Sequence, residues 1–177
     1  MLEKEGLSCL IVDDDSMILS LVRQFLQPMG YTCSIASSAE SALELLEGKS
    51  FSLMITDLLM GGMDGLALTK HVKKLHPAMP IIVMTGFIDD HSYDEAIEAG
   101  AADFLKKPFT MNEIKTRVTR VMRDAQFIDV LKKKEKAMEE ISTMMIAGLQ
   151  DEAQKKLVLL EAEIARLKKA ILIGKTD

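Results

Sequence analysis

The sequence predicts an α/β protein: a doubly wound, five-stranded parallel sheet followed by a long C-terminal helical tail. Three observations carry this. Five short β-rich runs alternate with five amphipathic stretches over the first 123 residues. The runs are nearly all apolar, as in strands covered on both faces. From Asp124 to Ile173 the chain turns to Ala, Leu, Lys, Glu, Gln and Met, with no proline and one glycine, Gly148. Those residues are good helix formers. The expected domains are therefore 1–123 and 124–177.

The elements follow in order. A strand near 7–12 stops at Asp13-Asp14-Asp15. The first helix, near 15–29, ends at the breaker cluster Pro28-Met29-Gly30. After a strand near 32–36, a second helix near 38–47 opens behind Ser37-Ser38 and stops at Gly48, with cap chemistry at both ends. The third strand, 51–56, stops at Asp57, and the third helix, 64–75, opens at Asp64. A fourth strand, 80–85, stops at Thr85-Gly86, and its helix, 89–99, ends at Gly100. The fifth strand, 102–106, runs into Lys107-Pro108 and a helix over 110–123. Each βαβ crossover is expected to be right-handed.

Composition narrows the function. The 177 residues carry a net charge of −5, all of it in residues 1–123, which hold 12 Lys+Arg against 17 Asp+Glu. Neither part has the basic excess that nucleic-acid binding draws on, so nucleic acid is not an expected partner. No apolar run approaches the ~20 residues of a membrane span, and Met1-Leu2-Glu3-Lys4-Glu5 does not open a signal peptide. A cytoplasmic location is expected. Cys9 and Cys33 read as small buried hydrophobes, and His71, His76 and His91 as surface residues.

Parallel sheets collect their ligand groups at the carboxyl ends of the strands. Here that edge gathers Asp13, Asp14, Asp57, Thr85 and Lys107. Carboxylates converging at ~4 Å repel by roughly 4 kcal/mol per pair at an effective dielectric of 20, so a cation among them is expected. All-oxygen ligation selects a hard ion, Mg²⁺ or Mn²⁺. Asp57 is a candidate nucleophile toward a phosphoryl donor, with Lys107 as a point charge and the Thr85 hydroxyl as a hydrogen-bond donor to the transferred group. A haloacid-dehalogenase type of enzyme also uses an aspartate nucleophile, but it wants a second Asp where this chain has Leu59.

Five stretches in order, Cys9 to Asp15, Ile55 to Met60, Gly62 to Gly65, Met84 to Gly86 and Ala102 to Phe109, resemble the response regulator receiver domain of two-component signalling. The resemblance covers residues 6–123. It implies a flavodoxin-like fold with strand order 2-1-3-4-5. It implies that Asp57 is the phosphoacceptor and that Asp14 binds Mg²⁺, with Asp13 assisting directly or through water. The backbone carbonyl of Leu59 becomes the third protein ligand. Thr85 becomes the switch hydroxyl, Phe104 the switch aromatic, and Lys107, before an expected cis Pro108, the phosphoryl contact. A receiver implies a sensor histidine kinase as phosphodonor. It is not an enzyme beyond its own phosphorylation and dephosphorylation. Where the family commonly has proline after Met60, this chain has Gly61. In receivers the side chains two positions past the phosphoacceptor and past the switch hydroxyl flank the attacking water. Here they are Leu59 and Phe87, so slow self-dephosphorylation is expected.

The tail carries the output question. Leu157, Leu160, Ile164, Leu167 and Ile171 follow 3,4 spacing, an a/d heptad seam with Lys156, Glu161, Glu163 and Lys168 at e and g. Leu131, Met138, Ile141, Met145, Leu149 and Ala153 continue the stripe upstream, with Lys134 interrupting it. The seam predicts a homodimer through a coiled coil; a hairpin folded at Gly148 is the alternative. Two further readings are a receiver fragment of a longer protein whose coil leads into an effector, and a DNA-binding regulator using Lys132-Lys133-Lys134. The downstream partner is not legible.

Overall fold

The computed structural model of the chain describes residues 6–86 and 90–173, without the side chains of 90–93, 168 and 170–173. Phe87 and the side chains of His91, Lys168 and Ile171 lie outside the described residues. Two compact units divide the chain, 1–125 and 126–177.

The first unit alternates strand and helix: β1 Ser8–Val12, α1 Ser16–Leu26, β2 Thr32–Ala36, α2 Ala39–Gly48, β3 Leu53–Asp57, α3 Gly65–Leu75, β4 Ile81–Thr85, α4 Asp90–Ala99, β5 Asp103–Lys106 and the start of α5. The strands form one parallel sheet in the order β2-β1-β3-β4-β5. This is the doubly wound topology the sequence predicts.

Both faces of the sheet are buried, as the apolar strands require. Alternate residues go to opposite sides. Cys9, Ile11, Leu53, Ile55, Ile82, Met84 and Leu105 pack with Leu19, Val22 and Leu26 of α1 and Ile114, Val118 and Val121 of α5. Leu10, Val12, Met54 and Ile81 pack with Ala39, Ala42 and Leu46 of α2 and Leu68 and Val72 of α3. Strand β2 departs from the all-apolar pattern: it lies at the sheet edge, and Ile35 is half-exposed.

Caps fix several helix starts. Asp15 accepts from the Met17 amide at 2.8 Å to open α1, and Ser38 and Ser41 form a capping box on α2. Helix α1 is shorter than the sequence suggests. It stops at Leu26, and Gln27–Met29 make one 3₁₀ turn because Pro28 cannot continue the α-helical ladder.

Helix α5, Met111–Ile146, runs well past the expected stop at 123. Nothing between Arg123 and Gly148 breaks a helix. In the second unit the chain turns at 147–149 and returns as α6, Gln150–Ile173. Gly148 takes φ 78°, a left-handed conformation that closes helices cheaply only in glycine. The Leu149 amide donates to Met144 O at 3.0 Å and the Gly148 amide to Met145 O at 3.2 Å. Leu157, Leu160 and Ile164 of the α6 seam pack against the chain's own α5. Ile141, Ala153 and Leu160 are buried together, with Ala137, Met144, Leu157 and Ile164 around them. The hairpin is thus the arrangement found, and the seam expected to join two copies is closed within one.

The α5 face also differs from the one the sequence suggests. Of the expected upstream stripe only Ile141 and Ala153 lie in this cluster, while Leu131, Met138, Met145 and Leu149 stay 46–49% exposed. Lys134, read as an interruption, belongs to the packed face. Its stem is covered and its ammonium pairs with Glu163, as an amphipathic side chain allows. Lys156 pairs with Glu140. Lys133 pairs with Asp129 at 2.8 Å, so two of the three consecutive lysines are engaged by acids of their own unit.

Candidate functional site

The carboxyl ends of β1, β3, β4 and β5 deliver the site. Asp13 follows β1, and its amide continues the β1–β2 ladder by donating to Ala36 O at 3.2 Å. The Asp13 side chain is fully buried and fastened at both oxygens. Oδ1 accepts from the Asp15 amide at 2.9 Å, and Oδ2 accepts from Lys107 Nζ at 2.7 Å. Asp57 is the last residue of β3 and 6% exposed, with Oδ1 also 2.7 Å from Lys107 Nζ. Asp14 is exposed, and oxygens of Asp13, Asp14 and Asp57 lie within 4.8 Å of one another. One ammonium therefore serves two buried carboxylates.

Lys107 is placed by its main chain as well as by its side chain. Its amide donates to Thr85 O at 2.7 Å, and its bond to Pro108 is cis. Phe109 then packs against the α1–α5 core. Thr85 ends β4 and is 1% exposed. Phe104 pairs in register with Val83 and is buried among Leu58, Val83, Ala96 and Ala101, on the side of the sheet that faces α4. Leu59, two residues past Asp57, is 70% exposed.

Burial pushes the Asp57 carboxyl above its ordinary value, and Asp13 adds to the push; the contact with Lys107 pulls back without cancelling them. For Lys107 the balance runs the other way. Burial is the largest single influence and lowers it, but hydrogen bonds and charge from Asp13 and Asp57 together leave the ammonium above its ordinary value. The two partners thus differ: for Lys107 the pair outweighs burial, and for Asp57 it does not.

Three carboxylates and one ammonium leave two negative charges in a small space. The donor set is all carboxylate. That charge and hardness fit a divalent oxygen-seeking cation such as Mg²⁺.

Sequence reasoning brought together Asp13, Asp14, Asp57, Thr85 and Lys107, and the structure places them at one edge. It missed two supports. Asp15 orients Asp13 while capping α1. Gly65 opens α3 against the end of β3: its amide donates to Leu58 O at 2.9 Å, and a Cβ there would stand 2.0 Å from the Asp57 carbonyl oxygen. The signal for Gly65 was in the chain, a glycine directly behind the capping Asp64. Asp103 was also missed. It is buried at the start of β5, with Arg117 of α5 at 2.9 Å and Arg120 at 2.6 Å.

A doubly wound sheet with acids at the ends of β1 and β3 and a lysine before a cis proline after β5 defines a receiver. Residues 9–119 match the family described as response regulator receiver domain, and the chain belongs to that family: it contains the receiver domain of a two-component response regulator. Among curated proteins it is similar to the DNA-binding transcriptional regulator NtrC of Escherichia coli (strain K12), 38% identical over 116 residues. That match covers 66% of this chain and 25% of NtrC. It is 31% identical over 125 residues to the transcriptional regulatory protein ZraR of the same strain, covering 71% of this chain and 28% of ZraR. Among solved structures, NtrX from Brucella abortus superposes with TM-score 0.68 at 28% identity, covering 77% of this chain and 33% of that one. A CheY-like receiver domain protein from Methanospirillum hungatei JF-1 gives TM-score 0.65 at 29% identity, covering 68% and 96%. The chain spans about a quarter of the length of these curated relatives. Their names are those of transcriptional regulators, so the comparisons give no support to the expectation that nucleic acid is not a partner. Among the described residues no helix is long and apolar enough to cross a membrane.

Proposed function

We propose that the chain accepts a phosphoryl group on Asp57, with Mg²⁺ bound at Asp13, Asp14, Asp57 and the backbone carbonyl of Leu59, and passes the resulting state to a protein partner through its helical tail. The observation that carries this is the Lys107 ammonium, 2.7 Å from both Asp13 and Asp57 at the strand ends. An Asp57 carboxylate oxygen attacks phosphorus, and the bond from phosphorus to the donor breaks. With a histidine kinase as donor, that is the P–N bond of a phosphoimidazole, and the ring leaves as the neutral base after taking a proton. Bound Mg²⁺ would neutralise charge on the transferring oxygens. Lys107 supplies a second positive charge from the β5 side. The Thr85 hydroxyl donates to a phosphoryl oxygen, and Phe104, packed against Leu58 and Val83, follows the change toward α4. The protein acts on no substrate besides itself and works in the cytoplasm, where a sensor kinase's phosphohistidine is presented.

The test is intact-mass measurement after incubation with a small phosphodonor. One adduct is expected in the wild type, none in Asp57→Ala, and none when the divalent cation is chelated. An adduct that persists in Asp57→Ala overturns the assignment.

A further inference from the structure

We propose that the tail is a two-state element: a hairpin closed at Gly148, and a straightened helix through Gly148 that pairs with a second copy of this chain. This inference is independent of the phosphoacceptor reading.

Leu131, Met138, Met145 and Leu149 keep 46%, 49%, 46% and 47% of their surface exposed. They are not scattered. The first three stand seven residues apart and Leu149 four further on, so they share one side of a helix. The face of α5 that packs in the hairpin is a different one, centred on Ala137, Ile141 and Met144. At ~100° per residue the two faces are centred roughly 100° apart.

The exposed stripe has a continuation that the hairpin hides. After Leu149 come Ala153, Leu157, Leu160, Ile164 and Leu167, at steps of four, four, three, four and three. If residue 148 turned helical, the positions from Leu131 to Leu167 would fall within an arc of roughly 120°, one amphipathic face. In the hairpin the α6 half of that face packs on α5, and the α5 half is left over. Helix α6 therefore has one seam and two possible partners, and Ala153 and Leu160 are covered with either.

The hairpin is held by the apolar cluster around Ile141 and Leu160, by the ion pairs Lys134–Glu163 and Lys156–Glu140, and by its turn. The turn is three residues, its pivot is a glycine with φ 78°, and nothing lies within 4 Å of the position a Gly148 Cβ would take. Opening gives up the contacts of Ala137 and Met144, part of those of Ile141, and the ion pairs Lys134–Glu163 and Lys156–Glu140. It buries Leu131, Met138, Met145 and Leu149. A second copy is the fitting occupant because it supplies a stripe of the same length and spacing. The charges also have a second arrangement: Lys156, paired with Glu140 in the hairpin, meets Glu161 of a parallel partner helix at e and g positions. Because one state is monomeric and the other dimeric, protein concentration sets the balance.

The experiment uses the full-length protein. Spin labels at Lys136→Cys and Glu161→Cys, with Cys9 and Cys33 replaced by alanine, report the distance between the two helices. In the hairpin these positions lie at the same level along the two helices, between the ion pairs Lys134–Glu163 and Lys156–Glu140. A straight helix separates them by ~38 Å at 1.5 Å per residue. Unlabelled protein with its native cysteines is followed by sedimentation equilibrium. We expect the long distance to grow in step with the dimer. Gly148→Ala, which disfavours the left-handed turn, should tighten association at least ~10-fold. Leu131→Gln with Met138→Gln changes only side chains exposed in the hairpin, and should abolish the dimer while keeping the short distance. A dimer that retains only the short distance overturns the proposal. So does a dimer indifferent to the Leu131 and Met138 changes, or a wild-type protein that stays monomeric up to ~100 μM.

Discussion

Asp57 carries its charge out of reach of most water, and its acidity records the cost. Its carboxyl lies above the ordinary value of 3.8 because burial opposes ionisation, with Asp13 adding to the effect. The folded protein therefore holds this proton more tightly than the unfolded chain. The contribution of Asp57 to stability is greatest below pH 3.8, falls as the pH rises through the folded value, and at neutral pH is a full penalty. Asp57→Asn should raise Tm in chelator at neutral pH, since it removes the buried charge while Lys107 keeps Asp13 as partner. Added Mg²⁺ should narrow the gap by stabilising the wild type more; scanning calorimetry with and without the ion checks both. A variant less stable than the wild type in chelator would contradict this account. Leu59 raises a question of rate instead. Its side chain is 70% exposed rather than packed on a neighbouring loop, and it has no group to orient a water. Leu59→Asn combined with Phe87→Glu should speed loss of the phosphoryl group by on the order of 10². Decay of the phosphorylated protein, followed by intact mass, measures it, and an unchanged rate would rule out the shielding role.

Among the elements, α3 opens so close to the end of β3 that its first residue, Gly65, has no space for a side chain. A Cβ on Gly65 would overlap the Asp57 carbonyl oxygen at 2.0 Å, whereas one on Gly61 would meet nothing within 4 Å. Gly65→Ala should therefore cost about 1–3 kcal/mol and displace Asp57 enough to impair phosphorylation. Gly61→Ala should stay within about 0.5 kcal/mol of the wild type. Denaturant unfolding of both variants, beside a phosphorylation assay, distinguishes them. The same elements show what could be read from the chain. The central strands β1, β3 and β4 are short apolar runs stopped by a polar group, so the sheet and the gathering of Asp13, Asp57, Thr85 and Lys107 at one edge were legible from local pattern. Helix α5 was not, because its end is set by the absence of a breaker until Gly148, and a change of composition at 124 resembled a boundary. The packed face of α5 was hidden for another reason. Lys134 counts as polar in any pattern, yet its stem lies in the seam and its ammonium reaches Glu163, which only the returning helix brings near.

At the scale of the whole molecule, two separately packed units imply two separable losses of structure. Ile141, 2% exposed, sits in the tail's own buried cluster and in none of the three clusters of the sheet unit. Ile141→Ala should destabilise the tail by about 2–4 kcal/mol and leave phosphorylation of Asp57 at its wild-type rate. Circular dichroism should then show an early loss of helix ahead of the main transition, and a single unchanged transition would count against the separation. The sheet unit has no such seam at its working edge, and Lys107 is the reason. Its amide is held by the β4 end at Thr85 and its ammonium by the β1 and β3 ends at Asp13 and Asp57, while it continues directly from β5. Four strand ends thus share one residue, like spokes meeting at a hub. Whatever draws the ammonium away from either carboxylate therefore pulls on a residue whose peptide also ties β5 to β4.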